Sequence, residues 1–269
     1  MATCLVCGST ARHRFALDNR SFVACSNARC GLVFIHPQPT TEELDDYYRE
    51  DYFGSSTARH QLARQELMEQ IVRYAIGAVG RPVATILDFG CATGRMWEAL
   101  EPRLRDKYVG LEPNPIARDQ AVRRTGRPIV ATVAELSGLP DLRWDICIMN
   151  QVVEHLRDPL GDLQELIKSA REKALLWIGT PNRRSVHVLR RGKGWRHYEN
   201  RTHLFFFDRK SCIHLLLRAG YSDLQRVSFP LKYAHRNRLH RAAHGLVRGL
   251  RIDGNLTITA RAECAPYRQ

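Results

Sequence analysis

The sequence predicts an α/β fold: a parallel sheet with helices on both faces, preceded by a small cysteine-bearing unit. Three observations predict it. Residues 85–100 read as a buried strand, a turn of small residues and the first turns of a helix. Strand and helix patterns then alternate as far as Ala260, the arrangement of strand–helix–strand units. Finally, four of the eight cysteines fall within the first 30 residues.

Those four form Cys4-x2-Cys7 and Cys25-x4-Cys30, each followed by a glycine, Gly8 or Gly31, that lets backbone amides turn toward sulfur. Four thiolates so spaced suit tetrahedral zinc; unliganded thiols or a redox pair are the alternatives. Zinc ligation by Cys4, Cys7, Cys25 and Cys30 would be structural, because about 50 residues cannot hold a core without a staple. Residues 36–39 carry two prolines, and a Thr cap with Glu42 and Glu43 then starts a short helix. Its Tyr47 and Tyr48, with Tyr52 and Phe53, either pack inward or form a lid. Residues 58–79 read as a longer helix with Leu62, Leu67, Ile71 and Tyr74 in phase, closed by Gly80 and Pro82. The expected organisation is therefore a unit over 1–54, a linking helix over 55–80 and a main domain over 81–269.

At the centre lies the turn after Asp88. Gly90 and Gly94 let the backbone turn sharply and approach a ligand. The turn is G-x-x-x-G without lysine, so neither the dinucleotide fingerprint G-x-G-x-x-G nor a phosphate loop ending G-K-[ST] fits. Residues 108–114 read as the next strand, ending in Glu112, 24 positions beyond Asp88. A carboxylate there can accept both hydroxyls of a ribose. Past it, the pattern gives a helix over 115–124, strands at 128–130 and 144–149, a helix over 160–170 and a strand over 174–179. A helix then follows Asp208 and stops at Gly220, and strands cover 221–229 and 256–260.

Charge is distributed unevenly. Of a net +13, residues 183–269 supply 19 Lys and Arg against 5 Asp and Glu, so the basic excess belongs to the last third. Residues 181–201 form a long basic loop after a strand end, where loops of α/β sheets face the ligand crevice. Its arginines either grip an anionic acceptor or are merely solvated. Residues 236–251 read as a basic amphipathic helix that packs on the body or a second subunit, lies on an anionic membrane or touches RNA. The sequence shows no run of 18 apolar residues and no charged-then-apolar leader, and its cysteines form no disulfide framework. A soluble cytoplasmic protein is expected.

With residues 144–159, ending Asn150-Gln151-Val152-Val153-Glu154-His155-Leu156-Arg157-Asp158-Pro159, the chain resembles bacterial class I S-adenosylmethionine (SAM) methyltransferases with an N-terminal zinc ribbon, relatives of the ubiquinone-pathway O-methyltransferases. Matching pieces run from Cys4 to Ala260 and include Thr180-Pro181-Asn182 and His203-Leu204 followed by Phe206. The resemblance implies a Rossmann-like class I methyltransferase sheet behind a zinc ribbon. It implies SAM as cofactor, held by Asp88, Gly90, Cys91, Ala92, Gly94, Glu112, Pro113, Val133, Ala134, Asn150 and Gln151.

Three positions depart from the family pattern. The second cysteine pair is two residues wider than C-x2-C, and Ala92 stands where the middle glycine usually sits. Gln151 replaces a second glutamate, which removes a ligand from a Glu/Glu/His divalent-metal site.

Methyl transfer to a hydroxyl requires a base, and His155, at the mouth of the cofactor cleft by resemblance, is the first candidate. Its other reading is a capping or packing histidine. His203 is the second candidate, or else a histidine wedged beside Phe205, Phe206 and Phe207. The expected activity is O-methylation of a small molecule or glycan precursor. RNA methylation, or N- or C-methylation of a small molecule, is the alternative, and a binding module that has lost catalysis is disfavoured by the intact Asp88, Gly90, Gly94 and Glu112.

Overall fold

The computed structural model describes residues 2–51, 58–139, 142–228 and 253–263. The N-terminal unit is a small antiparallel sheet of β1 (Ala2–Thr3), β2 (Thr10–Leu17), β3 (Arg20–Cys25) and β4 (Val33–Ile35). Two helices follow, α1 (Thr41–Asp51) and the 22-residue α2 (Ala58–Val79). The main sheet then alternates with helices: β5 (Ile86–Phe89), β6 (Tyr108–Leu111), α3 (Pro115–Thr125), β7 (Ile129–Val130), α4 (Val133–Ser137), β8 (Trp144–Asn150), α5 (Pro159–Leu166) and β9 (Ala170–Pro181). After it come α6 (Val186–Arg191), α7 (Arg196–Glu199), β10 (Phe205–Phe206), α8 (Arg209–Arg218), β11 (Tyr221–Arg226) and β12 (Asn255–Ala262).

Seven strands form the main sheet in the order β11-β12-β9-β8-β5-β6-β7. Its side chains alternate between two apolar layers, as the period of a strand requires. On one face, Ile86, Ile146, Ile148 and Trp177 pack against Ile71, Val72 and Ala75 of α2. On the other, Leu87, Phe89, Cys147, Met149, Leu176 and Ile178 meet Leu163 and Leu166 of α5 and Leu215 and Leu216 of α8. Each strand of the centre is buried on both sides, so its sequence is a near-continuous apolar run.

The sheet is mixed where the alternation predicts a parallel one. β12 runs antiparallel to both β9 and β11, between which it inserts. Hydrophobic period encodes which residues face the layers and leaves strand direction open. The helix expected after Gly94 is also reduced, to a 3-10 turn over Arg95–Ala99 and a second over Pro102–Lys107. Pro102 is the cause: the residue before a proline is driven out of the α region, and Glu101 sits at φ −55°, ψ 144°. Likewise α5 ends at Leu166 rather than running to Ala170, which already belongs to β9.

The small sheet is not closed within the first 54 residues. Its fifth strand is β10, with Phe205 opposite Phe34 and Phe206 opposite Val33. Phe15, Phe22, Val33 and Ile35 share one apolar cluster with Trp195, Tyr198 and Phe206. The N-terminal unit and the 195–207 segment therefore form one packed body.

The turn after β5 folds over the end of β6: Gly90 and Cys91 both donate their amides to the Leu111 carbonyl, at 2.8 and 3.0 Å. Gly90 has φ +73°, and a Cβ there would come within 2.5 Å of Val152 Cγ2, so only glycine fits. Ala92 also lies in the left-handed region, at φ +49°. An L-residue with a Cβ is strained there by about 1–2 kcal/mol, which accounts for the glycine usual at this place. Ala92→Gly is expected to raise stability by about 0.5–1 kcal/mol, the relief of strain less the added freedom of the unfolded chain, as read by urea unfolding.

Candidate active site

The parallel strands β5, β6, β7 and β8 end on one edge of the sheet, where ligands of open α/β sheets bind. The expected cofactor residues all come from that edge. Glu112, just past β6, is buried, and its two carboxylate oxygens accept the amides of Ala92 and Asn114, each at 2.9 Å. It thus ties the turn after β5 to the turn after its own strand. Burial raises its pKa, and the two amides act in the opposite direction. Asp88 faces Tyr108, whose phenol donates to Oδ2 at 2.9 Å. Burial pushes the Asp88 carboxyl up to about 7, Tyr108 opposes this and the Glu112 charge adds to it.

Pro113 offers its carbonyl to Arg118 at 2.9 Å. Cys91 is buried, and Gly110 of β6 leaves room for its sulfur: a Cβ at Gly110 would meet Cys91 Sγ at 2.7 Å. Gly94, at φ +75°, closes the turn against Thr125 of α3. Val133 and Ala134 open α4 behind the Thr132 cap. Asn150 ends β8 with its side chain over Gly179, where a Cβ would lie 2.3 Å from Asn150 Oδ1. Gln151 adopts a left-handed backbone, φ +61°, and donates its amide to the Gly179 carbonyl at 2.6 Å.

Beyond β8 the chain brings the two histidines together, with ring centroids 4.6 Å apart and planes perpendicular. The return of the 181–201 loop makes this meeting, since His203 follows that loop. His155 donates Nδ1–H to the Thr202 carbonyl at 3.0 Å, which fixes the tautomer with its lone pair on Nε2. Both rings are deprotonated at neutral pH: burial lowers His155 to about 4 and His203 to about 2. His197 stacks on His203 at 5.2 Å and is held down to about 4 by burial.

Sequence reasoning passed over Glu154, which is quoted in the motif and buried at 1% exposure. Its Oε2 accepts from the Thr180 hydroxyl at 3.0 Å, whereas Oε1, like His203 Nδ1, is buried without a hydrogen-bond partner among the described residues. Burial lifts the Glu154 pKa to about 8. One oxygen of Glu154 and one nitrogen from each of His155 and His203 lie within 4.8 Å of one another, so the cluster can receive a polar group or a cation. The dipeptide Glu-His at a strand end was the available signal; nothing local announced His203 as its neighbour. Tyr108 was missed for a similar reason, being a strand aromatic whose hydroxyl finds Asp88 only across two parallel strands.

In the N-terminal sheet the sulfurs of Cys4, Cys7, Cys25 and Cys30 lie within 4.8 Å of one another. Cys4 and Cys30 are 3.9 Å apart, and Cys7 and Cys25 are 3.4 Å apart. A tetrahedral zinc with Zn–S of about 2.3 Å needs sulfurs about 3.8 Å apart, so the donor set fits the ion. Of the aromatic residues considered as a lid, Tyr47 packs against the core beneath the Arg201 guanidinium, 5.2 Å from the ring. The side chain of Tyr48, residues Tyr52 and Phe53, and the basic stretch 236–251 lie outside the described residues. Among the described residues, no helix is long and apolar enough to cross a membrane.

Comparison with known proteins agrees with this fold. A family model described as a methyltransferase domain matches residues 58–226. No curated protein matches the chain. Among solved structures, a SAM-dependent methyltransferase from Archaeoglobus fulgidus is similar at 19% identity, TM-score 0.51, over 73% of this chain and 94% of that one. The 1,6-didemethyltoxoflavin-N1-methyltransferase of Burkholderia thailandensis, with its substrate and S-adenosylhomocysteine (SAH) bound, covers 94% of this chain and 99% of its own at 17% identity and TM-score 0.52. The plantazolicin methyltransferase BpumL with SAH is similar at 14% identity and TM-score 0.54, over 84% of this chain and 91% of that one. Likeness at such identity speaks to fold, and the family match covers well over half of the chain: it belongs to the methyltransferase-domain family, a SAM-dependent methyltransferase of class I fold.

Proposed function

We propose that this enzyme methylates a hydroxyl of a small molecule or glycan precursor, and that it carries a structural zinc ribbon, as do the bacterial class I methyltransferases it resembles. The observation that carries the reading is the perpendicular contact of two imidazoles, His203 buried and His155 partly buried, beside the strand edge assigned to the cofactor, in surroundings that lower both pKa values. SAM, when bound, supplies an electrophilic methyl group on a sulfonium. Glu112 accepts the ribose hydroxyls with the lone pairs its two amide bonds leave over. Asp88 and the turn from Gly90 to Gly94 line the methionine end, and Cys91, Ala92, Pro113, Val133, Ala134, Asn150 and Gln151 complete the wall. His155 takes the hydroxyl proton on Nε2, held in the right tautomer by Thr202, while His203 orients the acceptor or shares the proton. A nitrogen acceptor is the second reading; the toxoflavin enzyme similar to this chain is an N1-methyltransferase by name. Such an acceptor can attack through a lone pair without first losing a proton.

Three measurements test this reading. Calorimetry with SAH on Glu112→Ala should find binding weakened by about 1.5–3 kcal/mol, the scale of a lost hydrogen bond to a charged group, and unchanged affinity would remove Glu112 from the cofactor site. Elemental analysis of protein purified without chelators should find one zinc per chain, absent when Cys4 and Cys30 are both replaced by serine; metal-free wild-type protein would end the ribbon reading. Single-turnover kinetics with an identified acceptor should lose roughly 10²- to 10⁴-fold in His155→Ala at unaltered SAM affinity, with a smaller loss in His203→Ala. Full rates in both variants would exclude the histidines as bases, leaving proximity alone or another group to account for the proton.

A further inference from the structure

The N-terminal hairpin reaches the histidines through one side chain. Asp18 and Asn19 at its tip both adopt left-handed backbones, φ 48° and 60°, as a two-residue hairpin turn requires. Arg20, the first residue of β3, is thereby delivered to the end of α7, far away in sequence. Its guanidinium donates to three successive carbonyls: from Nη2 to Tyr198 at 2.6 Å and Glu199 at 3.3 Å, and from Nη1 to Asn200 at 3.0 Å. A helix of four residues is too short to hold itself, and its last carbonyls need donors from outside. A planar fork of donors meets that need, and it also lies over the Phe22 ring, 5.6 Å from the centroid.

From these carbonyls the hydrogen bonds continue to both histidines. Asn200 O also accepts the His203 amide, at 3.3 Å. Asn200 Oδ1 accepts the amide and hydroxyl of Thr202 at 2.9 and 2.8 Å, and the Thr202 carbonyl accepts His155 Nδ1–H at 3.0 Å. Loss of the clamp would free the 198–203 turn, and with it the carbonyl that fixes the His155 tautomer. We propose that Arg20 is a positioning residue of the acceptor site, holding the Tyr198–Asn200 carbonyls so that Thr202 orients His155 and the backbone of His203 is fixed beside it. The N-terminal unit on this view is a part of the active-site wall. The inference rests on the reading of the two histidines as acceptor-side groups, but its test needs no acceptor.

Long-range proton–nitrogen NMR on the full chain with ¹⁵N-labelled histidine reports tautomers directly, the His155 signals being assigned by their loss in His155→Gln. In the wild type, His155 should be a single Nδ1–H tautomer. In Arg20→Met, the His155 nitrogens should move toward the averaged shifts of two exchanging tautomers, while SAH affinity stays unchanged. Arg20→Lys should shift them part of the way, because an ammonium keeps the charge but cannot span three carbonyls. A His155 that remains a single Nδ1–H tautomer in Arg20→Met would overturn the proposal. So would a change seen in Arg20→Met only together with loss of the hairpin's own amide signals, if Arg20→Lys matches the wild type; Arg20 would then serve folding alone. Failure of the base assignment is read separately, in the turnover of the His155 variants.

Discussion

The cofactor edge depends on the grip of one carboxylate on two backbone amides. Glu112 holds Ala92 on one oxygen and Asn114 on the other, so two turns from neighbouring strands are fixed against each other by a single buried side chain. The strained Ala92 conformation stays in place because this bond and the Leu111 carbonyl together hold the successive amides of Gly90, Cys91 and Ala92. Asp88, a short distance away, feels the same low-dielectric surroundings and the Glu112 charge, and its proton is held more tightly for both reasons. A ligand offering hydroxyls or an ammonium group to this pair supplies what the protein itself leaves short.

The cluster of Glu154, His155 and His203 is built on a different principle. Its polar groups are buried without full satisfaction: Glu154 Oε1 and His203 Nδ1 have no hydrogen-bond partner among the described residues. Buried polar atoms are nearly always paired in folded proteins, and a bound polar group or ion is one way to complete the set here. Neutral imidazoles and a protonated carboxyl avoid the far larger cost of buried charge, which is why burial moves all three pKa values toward the neutral forms.

The central βα units were legible in the sequence because their signals are local. Asp88, Gly90, Gly94 and Glu112 stand at fixed offsets from apolar strands, and the helices read over 58–79 and between Asp208 and Gly220 match α2 and α8 closely. What the sequence left out is long-range. The antiparallel direction of β12 has no periodic signature, and the pairing of β4 with β10 joins two short segments that look unrelated. The contact of His155 with His203 depends on the path of the intervening loop, and the role of Arg20 on a hairpin tip meeting a four-residue helix. A short-range reading assigns such residues to surface or packing, since their partners lie elsewhere in the chain.

The pairing of Phe34 with Phe205 also sets an order of events during synthesis. The N-terminal hairpin is made before β10, and the edge of β4 stays open until about 170 more residues have been made. Over that interval the nascent chain carries an unpaired strand edge, a condition that invites pairing with other chains. Such a non-local pairing closes slowly, because the loop entropy must be overcome before the contact stabilises anything. Early capture of an ion by the cysteines would shorten that exposure by ordering the hairpin ahead of its partner strand.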